Sequence, residues 1–162
     1  MRRKVRIRVI ALGHPYAGDD SVGLEVVAAL KAQGVPSHVE VTETGDATNL
    51  LHLIQGVPRV VIVDAVLGSG PEGEVLLLTP DQAEDRPIAP VSSHGLGVME
   101  TLRMAKALSL STQAGGHQIL LMGIVIREAR KFTAELSRPV AAAIPEAVKM
   151  LKSLWINGGR RI

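Results

Sequence analysis

No cysteine occurs in this chain of 162 residues, and only three residues are aromatic: Tyr16, Phe132 and Trp155. Without cysteine there is no disulfide scaffold, no thiolate zinc site, no iron–sulfur cluster and no cysteine nucleophile. The compartment stays open on this count, because a cysteine-free chain survives in either redox environment. So few aromatics argue against a base-stacking platform for single-stranded nucleic acid. Long apolar runs are missing as well. None approaches 18 residues, so no membrane span is expected. Val9 to Leu12 is too short for the apolar core of a secretory signal. The default expectation is a cytoplasmic protein with no membrane partner.

The rest of the composition is that of a soluble globular protein. At 46% hydrophobic and 21% charged, the chain is neither disordered nor fibrous. Its length predicts one domain over 1–162. The net charge of +2 is local in origin. Arg2, Arg3, Lys4, Arg6 and Arg8 crowd the first eight residues, and with them set aside 13 of the 18 basic residues face 16 acidic ones. Nucleic-acid binding wants a basic face and not a basic tip, so no nucleic-acid partner is expected. A solvated start to a strand accounts for the cluster.

Hydrophobic spacing predicts strands and helices in alternation. Val5 to Leu12 reads as a strand stopped at Gly13, and Val22, Val26, Val27 and Leu30 as one face of a helix stopped by Gly34 and Pro36. A short strand at Val39 and Val41 precedes a helix opened by Gly45 and Asp46 and ended near Gly56. Val60 to Val66, broken only by Asp64, suggests a strand buried on both faces. Val75 to Leu78 is a further strand, and the segment from Thr79 to Val91, with Pro80, Pro87 and Pro90, reads as a long irregular loop. A third helix is expected from about Gly95 to Leu108, and a polar loop from Ser109 to His117. Ile119 to Ile126 then forms a strand, and Val140 to Trp155 a closing helix with a kink or restart at Pro145. The expectation is a three-layer α/β/α sandwich, about five strands in a mostly parallel sheet.

In such sheets ligands bind at the carboxyl ends of strands. Three polar clusters fall there: Gly13 to Gly23 with Asp19 and Asp20, the strand acid Asp64, and Ser92-Ser93-His94 before the third helix. Each has a plainer reading. Asp20 or Ser21 could cap the first helix. Asp64 could be bonded to loop amides, though a carboxylate in an apolar strand carries a large desolvation cost unless it is paired or bound. His94 could be a satisfied structural histidine at a helix start, where the dipole favours neutral imidazole. Taken together, two acids and a histidine at sheet-end positions are mixed oxygen and nitrogen ligands for a borderline divalent metal, or groups that activate a water. There is no phosphate loop of the GxxxxGK[ST] type, no HExxH helix and no GxSxG elbow. The Gly95 to Glu100 segment lacks the third glycine of a dinucleotide fingerprint.

At these clusters the sequence resembles the hydrogenase maturation proteases, endopeptidases that trim a C-terminal extension from the large subunit of nickel–iron hydrogenases after nickel insertion. The family's Gly-Asn-x-x-x-x-Asp-Asp/Glu-Gly-x-Gly loop is matched by Gly13-His14 through Asp19-Asp20-Ser21-Val22-Gly23. A Gly-Thr-like segment resembles Thr44-Gly45-Asp46, and a hydrophobic strand ending in Asp-Ala resembles Val61 to Ala65. A Ser-x-His-x-x-Gly helix start is matched by Ser92-Ser93-His94-Gly95-Leu96-Gly97, a late Gly-Ile by Gly123-Ile124, and a Leu-Ser segment by Leu136-Ser137. The order is collinear across nearly the whole chain, with two departures: His14 replaces the usual asparagine, and Ser21 the glycine after the acidic pair.

The resemblance implies that Asp20, Asp64 and His94 contact metal, and that the nickel is the substrate's, with no tightly bound cofactor in the protease. It implies the precursor of a hydrogenase large subunit as partner. Asp64 is the first choice for a carboxylate base, because burial raises its pKa, with Asp20 as its catalytic companion. His14 is either an extra ligand, a proton carrier or a loop-stabilising residue. Two other readings stand beside this one. A flavodoxin-like module would hold a flavin or nucleotide at the same strand ends without catalysis. A stand-alone metallohydrolase would keep its own ion.

Overall fold

The alternation of β-branched runs with amphipathic segments folds as a sheet with helices on both faces. The structure, a computed structural model, describes residues 5–91, 97–108, 118–128 and 133–156. Among the described residues there are six strands: β1 (Ile7–Leu12), β2 (Val39–Thr44), β3 (Arg59–Gly68), β4 (Val75–Leu78), β5 (Ile88–Pro90) and β6 (Gln118–Ile126). The helices are α1 (Val22–Gln33), α2 (Leu50–Leu53), α3 (Pro80–Glu84), α4 (Val98–Ala107) and α5 (Arg138–Ile156). Short 3-10 turns at Gly18–Ser21 and Ala47–Asn49 lead into α1 and α2.

The strand order is β2-β1-β3-β6-β4. β2, β1, β3 and β6 are parallel, with Ile7 opposite Val39 and Arg59, and Arg59 opposite Gln118. β4 closes the β6 edge antiparallel, and β5 adds an antiparallel pairing to the far end of β3. β3 is central, and its alternate side chains feed two cores, as a strand covered on both faces must. Val61, Val63 and Ala65 pack with α1 and α5. Ile62 and Val66 pack with residues of α2, α3 and α4.

Two expectations change. The segment 79–91 is not one irregular loop. Thr79 and Gln82 form a reciprocal capping box with Pro80 at the first helical position, which starts α3, and Ile88–Pro90 then pairs with β3. The sheet therefore has six strands, one more than the apolar runs suggest. α5 runs as one helix through Pro145, with no restart. The N-terminal cations are partly spoken for. Arg8 binds Glu40 at 3.0 Å and donates to the carbonyls of Leu53 and Gln55, tying β1 to the end of α2. The polar loop expected from Ser109 to His117 lies outside the described residues.

Candidate active site

From β1 the chain passes through α1 to β2 on one side of it, and from β2 through α2 to β3 on the other. The carboxyl ends of β1 and β3 are therefore where the winding reverses and a crevice opens. Glycine lets the segments around that crevice close on it. A Cβ on Gly23, in the first turn of α1, would stand 2.6 Å from the Leu12 carbonyl oxygen and 2.8 Å from that of Val63. α1 thus sits directly on the end of β1 and on the middle of β3 beside it. A Cβ on Gly13 would stand 2.8 Å from the Asp20 carbonyl oxygen, so the loop 13–21 folds back tightly on itself.

That loop is held by the segment leading into α5. The Gly18 amide donates to the Thr133 carbonyl at 2.9 Å, and the Thr133 amide to the Tyr16 carbonyl at 3.1 Å. Asp19 is buried, and its carboxylate accepts from the Ser137 amide at 2.7 Å. The Ser137 hydroxyl in turn bonds Glu72 at 3.1 Å. The acid that serves a helix start is therefore Asp19, and the helix is α5, not the first helix that the plainer reading has Asp20 or Ser21 capping. Ser21 gives α1 no side-chain cap, and its hydroxyl donates to the Gly18 carbonyl at 2.7 Å. With φ −83 and ψ 0, Ser21 has a backbone open to any residue, so glycine is not needed there. His14 is exposed, and its ring lies over Gly45, where a Cβ would come within 2.7 Å of Cε1.

Asp20 remains, half-buried and facing the crevice's other acid. Burial raises its carboxyl above the usual carboxylate range, and the nearby charge of His14 offsets part of that rise. Asp64 is buried in the middle of β3. Its position explains how a strand interior tolerates it. β1 pairs with β3 as far as Val63, and β5 takes over from Val66, so Asp64 falls in the gap between two partners. On the other side its neighbour in β6 is Gly123, which presents no side chain. The hollow around Asp64 is walled by Val66, Ile88, Val98, Met99 and Leu121. Burial there, joined by the charge of Asp20, pushes the Asp64 carboxyl up to about 8, against a bond from the Ala65 amide that lowers it.

The structure thus brings Asp20 and Asp64 together, as the sequence predicts. His94, with Ser92 and Ser93, lies outside the described residues, and α4 begins at Val98 after Gly97. Among the described residues no cluster of three or more histidine or acidic groups could hold a metal ion. A larger groove, lined by Asp81, Glu84, Leu102 and Lys106, shares Met99 with the hollow around Asp64.

The sequence profile of a family described as hydrogenase maturation protease matches residues 24–154. The chain belongs to the hydrogenase maturation protease family. It is a peptidase by that membership. The match begins just past the loop that carries Asp20. Protein FrxA of Pyrococcus furiosus is 33% identical over 143 residues, covering 87% of this chain and 98% of the relative. Among solved structures, the nickel–iron hydrogenase maturation protease HybD of Thermococcus kodakarensis superposes with a TM-score of 0.71 at 28% identity, covering 93% of this chain and 99% of that one. The hydrogenase maturating endopeptidase HybD of E. coli superposes with a TM-score of 0.74 at 22% identity, over 96% and 94% of the two chains, and bears on the fold.

Sequence reading finds Asp20 and Asp64 and names Asp19 and Gly123 without the support they give, and it does not name Thr133. Gly123 has a signal, a glycine in an apolar strand, which marks close approach or missing bulk. The contacts of Asp19 and Thr133 have none, because their partners lie more than 100 residues away in the chain.

Proposed function

We propose that this protease removes the C-terminal extension from the nickel-loaded precursor of a nickel–iron hydrogenase large subunit, in the cytoplasm. Asp20, Asp64 and His94 recognise the nickel, which is part of the substrate. The observation that carries this reading is the coupled pair of carboxylates in the β1/β3 crevice of a chain from this family. A carboxylate whose affinity for protons is raised by burial and by a neighbouring acid also gains from a cation between the two, because a divalent ion removes the repulsion that burial amplifies. With no cysteine in the chain, the contacts offered are oxygen and nitrogen only. Such a set can test for nickel held by a substrate without being built to retain it.

In the hydrolysis, water attacks the scissile carbonyl carbon while the Asp64 carboxylate takes its proton. As the C–N bond breaks, the proton passes to the leaving amine, giving a new C-terminal carboxylate and a free peptide. The approach of a cation lowers the raised pKa of Asp64 toward neutrality, so the carboxylate is ionised at neutral pH while staying a stronger base than an ordinary aspartate.

The test incubates the protein with nickel-loaded and nickel-free precursor and weighs the products. Cleavage of the loaded form alone is expected, and equal cleavage of both removes nickel recognition. Asp20→Asn and His94→Ala should each abolish processing with unchanged circular dichroism.

A further inference from the structure

One residue of the acid-bearing loop is not used by this chemistry. Tyr16 has φ 62, the only positive φ outside glycine among the described residues. The left-handed region costs a side-chain-bearing residue about 1–2 kcal/mol. The turn imposes it from both sides: the Tyr16 carbonyl accepts from the Thr133 amide, the next residue but one, Gly18, donates back to the Thr133 carbonyl, and Gly18 itself has φ 56. The Asp20 amide bonds the Ala17 carbonyl at 3.2 Å, so this turn and the Asp20 backbone form one unit. Folding gets little in return from the ring, which is 69% exposed. In a chain with only three aromatics, one stands in solvent on a strained and clamped turn, four residues from Asp20.

Strain of this kind persists where surrounding structure enforces it, and it gathers at functional sites. A tyrosine carried outward on a clamped turn offers a large amphipathic surface with only its own side-chain rotations to lose, and tyrosine is enriched at the centres of protein interfaces. We propose that Tyr16 is a substrate-contacting, specificity-determining residue: its ring packs against the precursor's polypeptide beside the scissile bond and helps decide which precursor is accepted. This rests on the reading of the site as one that processes a hydrogenase precursor. The occupant is the extended polypeptide of that precursor, since the loop bearing Asp20 must lie against the chain being cut.

The variants separate ring from strain. Tyr16→Ala removes the ring and keeps a side chain at φ 62. Tyr16→Gly removes both, and glycine adopts this backbone freely. In cleavage of nickel-loaded large-subunit precursor, both variants should raise KM ten-fold or more, with a much smaller change in kcat. Tyr16→Phe should stay within about three-fold of the parent. Tyr16→Gly should keep or raise the melting temperature, so a weak substrate interaction cannot be put down to misfolding. Because Tyr16 is the chain's only tyrosine, nitration by tetranitromethane, read by mass on its peptide, reports this residue alone. Bound precursor should slow it at least five-fold. KM values within two-fold of the parent for both Tyr16→Ala and Tyr16→Gly, or nitration unaffected by precursor, overturn the role of Tyr16 and leave the protease reading intact. Failure of the parent protein to cleave the precursor overturns both.

Discussion

The carboxylate of Asp19 and the backbone amide of Ser137 meet at 2.7 Å across 118 residues of sequence. Ser137 immediately precedes α5, so the acid satisfies a free amide at the positive end of a 19-residue helix. The neighbouring residue is Asp20. The longest helix and the loop holding half of the acid pair are thereby fastened to each other.

Replacing that acid by alanine leaves the Ser137 amide without its partner. Asp19→Ala should cost about 1–3 kcal/mol in urea denaturation. Asp19→Asn keeps an acceptor oxygen and loses only the charge at the helix start, about 0.3–1 kcal/mol. Precursor processing should fall in the alanine variant and largely survive in the asparagine one. Equal losses in both would mean that charge, and not the hydrogen bond, matters.

The raised carboxyl of Asp64 makes stability depend on pH. In the unfolded chain Asp64 ionises above its ordinary value near 4, whereas in the folded one it keeps its proton until about 8. Between those limits the folded state binds more protons, so stability falls as pH rises, by at most about 1.4 kcal/mol per pH unit from this group. Asp20, also raised, adds in the same direction. Metal-free Asp64→Asn should therefore melt above the parent at pH 8, with the gap closing toward pH 4, while its activity is lost. A gap that does not vary with pH would contradict the assignment.

Gly23 tests the seating of α1. Alanine there would press a methyl carbon onto two backbone oxygens, neither of which can swing away. Gly23→Ala should lose about 1–3 kcal/mol and most of its activity, since α1 would lift from the end of β1 and the middle of β3. Thermal denaturation beside a cleavage assay measures both. A fully active and stable Gly23→Ala would mean the crevice tolerates a looser fit.

Much of this is legible in the residues because the central strands are extreme. A run such as Val60 to Val66 can only lie between two layers, and a single aspartate within it stands out against that background. What escapes is what depends on distant partners. Three prolines make 79–91 read as loop, although Thr79 and Gln82 already carry the spacing of a capping box. β5 is three residues long and takes its conformation from β3, so its own sequence carries no strand pattern. Of the site, the two acids show themselves by type and position. The strain at Tyr16 and the tie from Asp19 arise only when residues 133–137 come alongside.

The handover of β3 from β1 to β5 fixes where an acid can stand. Along the face that Asp64 shares with Ile62 and Val66, residue 62 is paired to β1 and residue 66 to β5. Moving the acid by one residue in either direction turns it toward α1 and α5. Moving it by two places it under a closed ladder. Position 64 is the one place in the strand where parity and pairing both permit a carboxylate, so a one-residue insertion or deletion in β3 could not be absorbed by sliding the strand. In this fold the register of the central strand decides whether an acid can face the crevice at all.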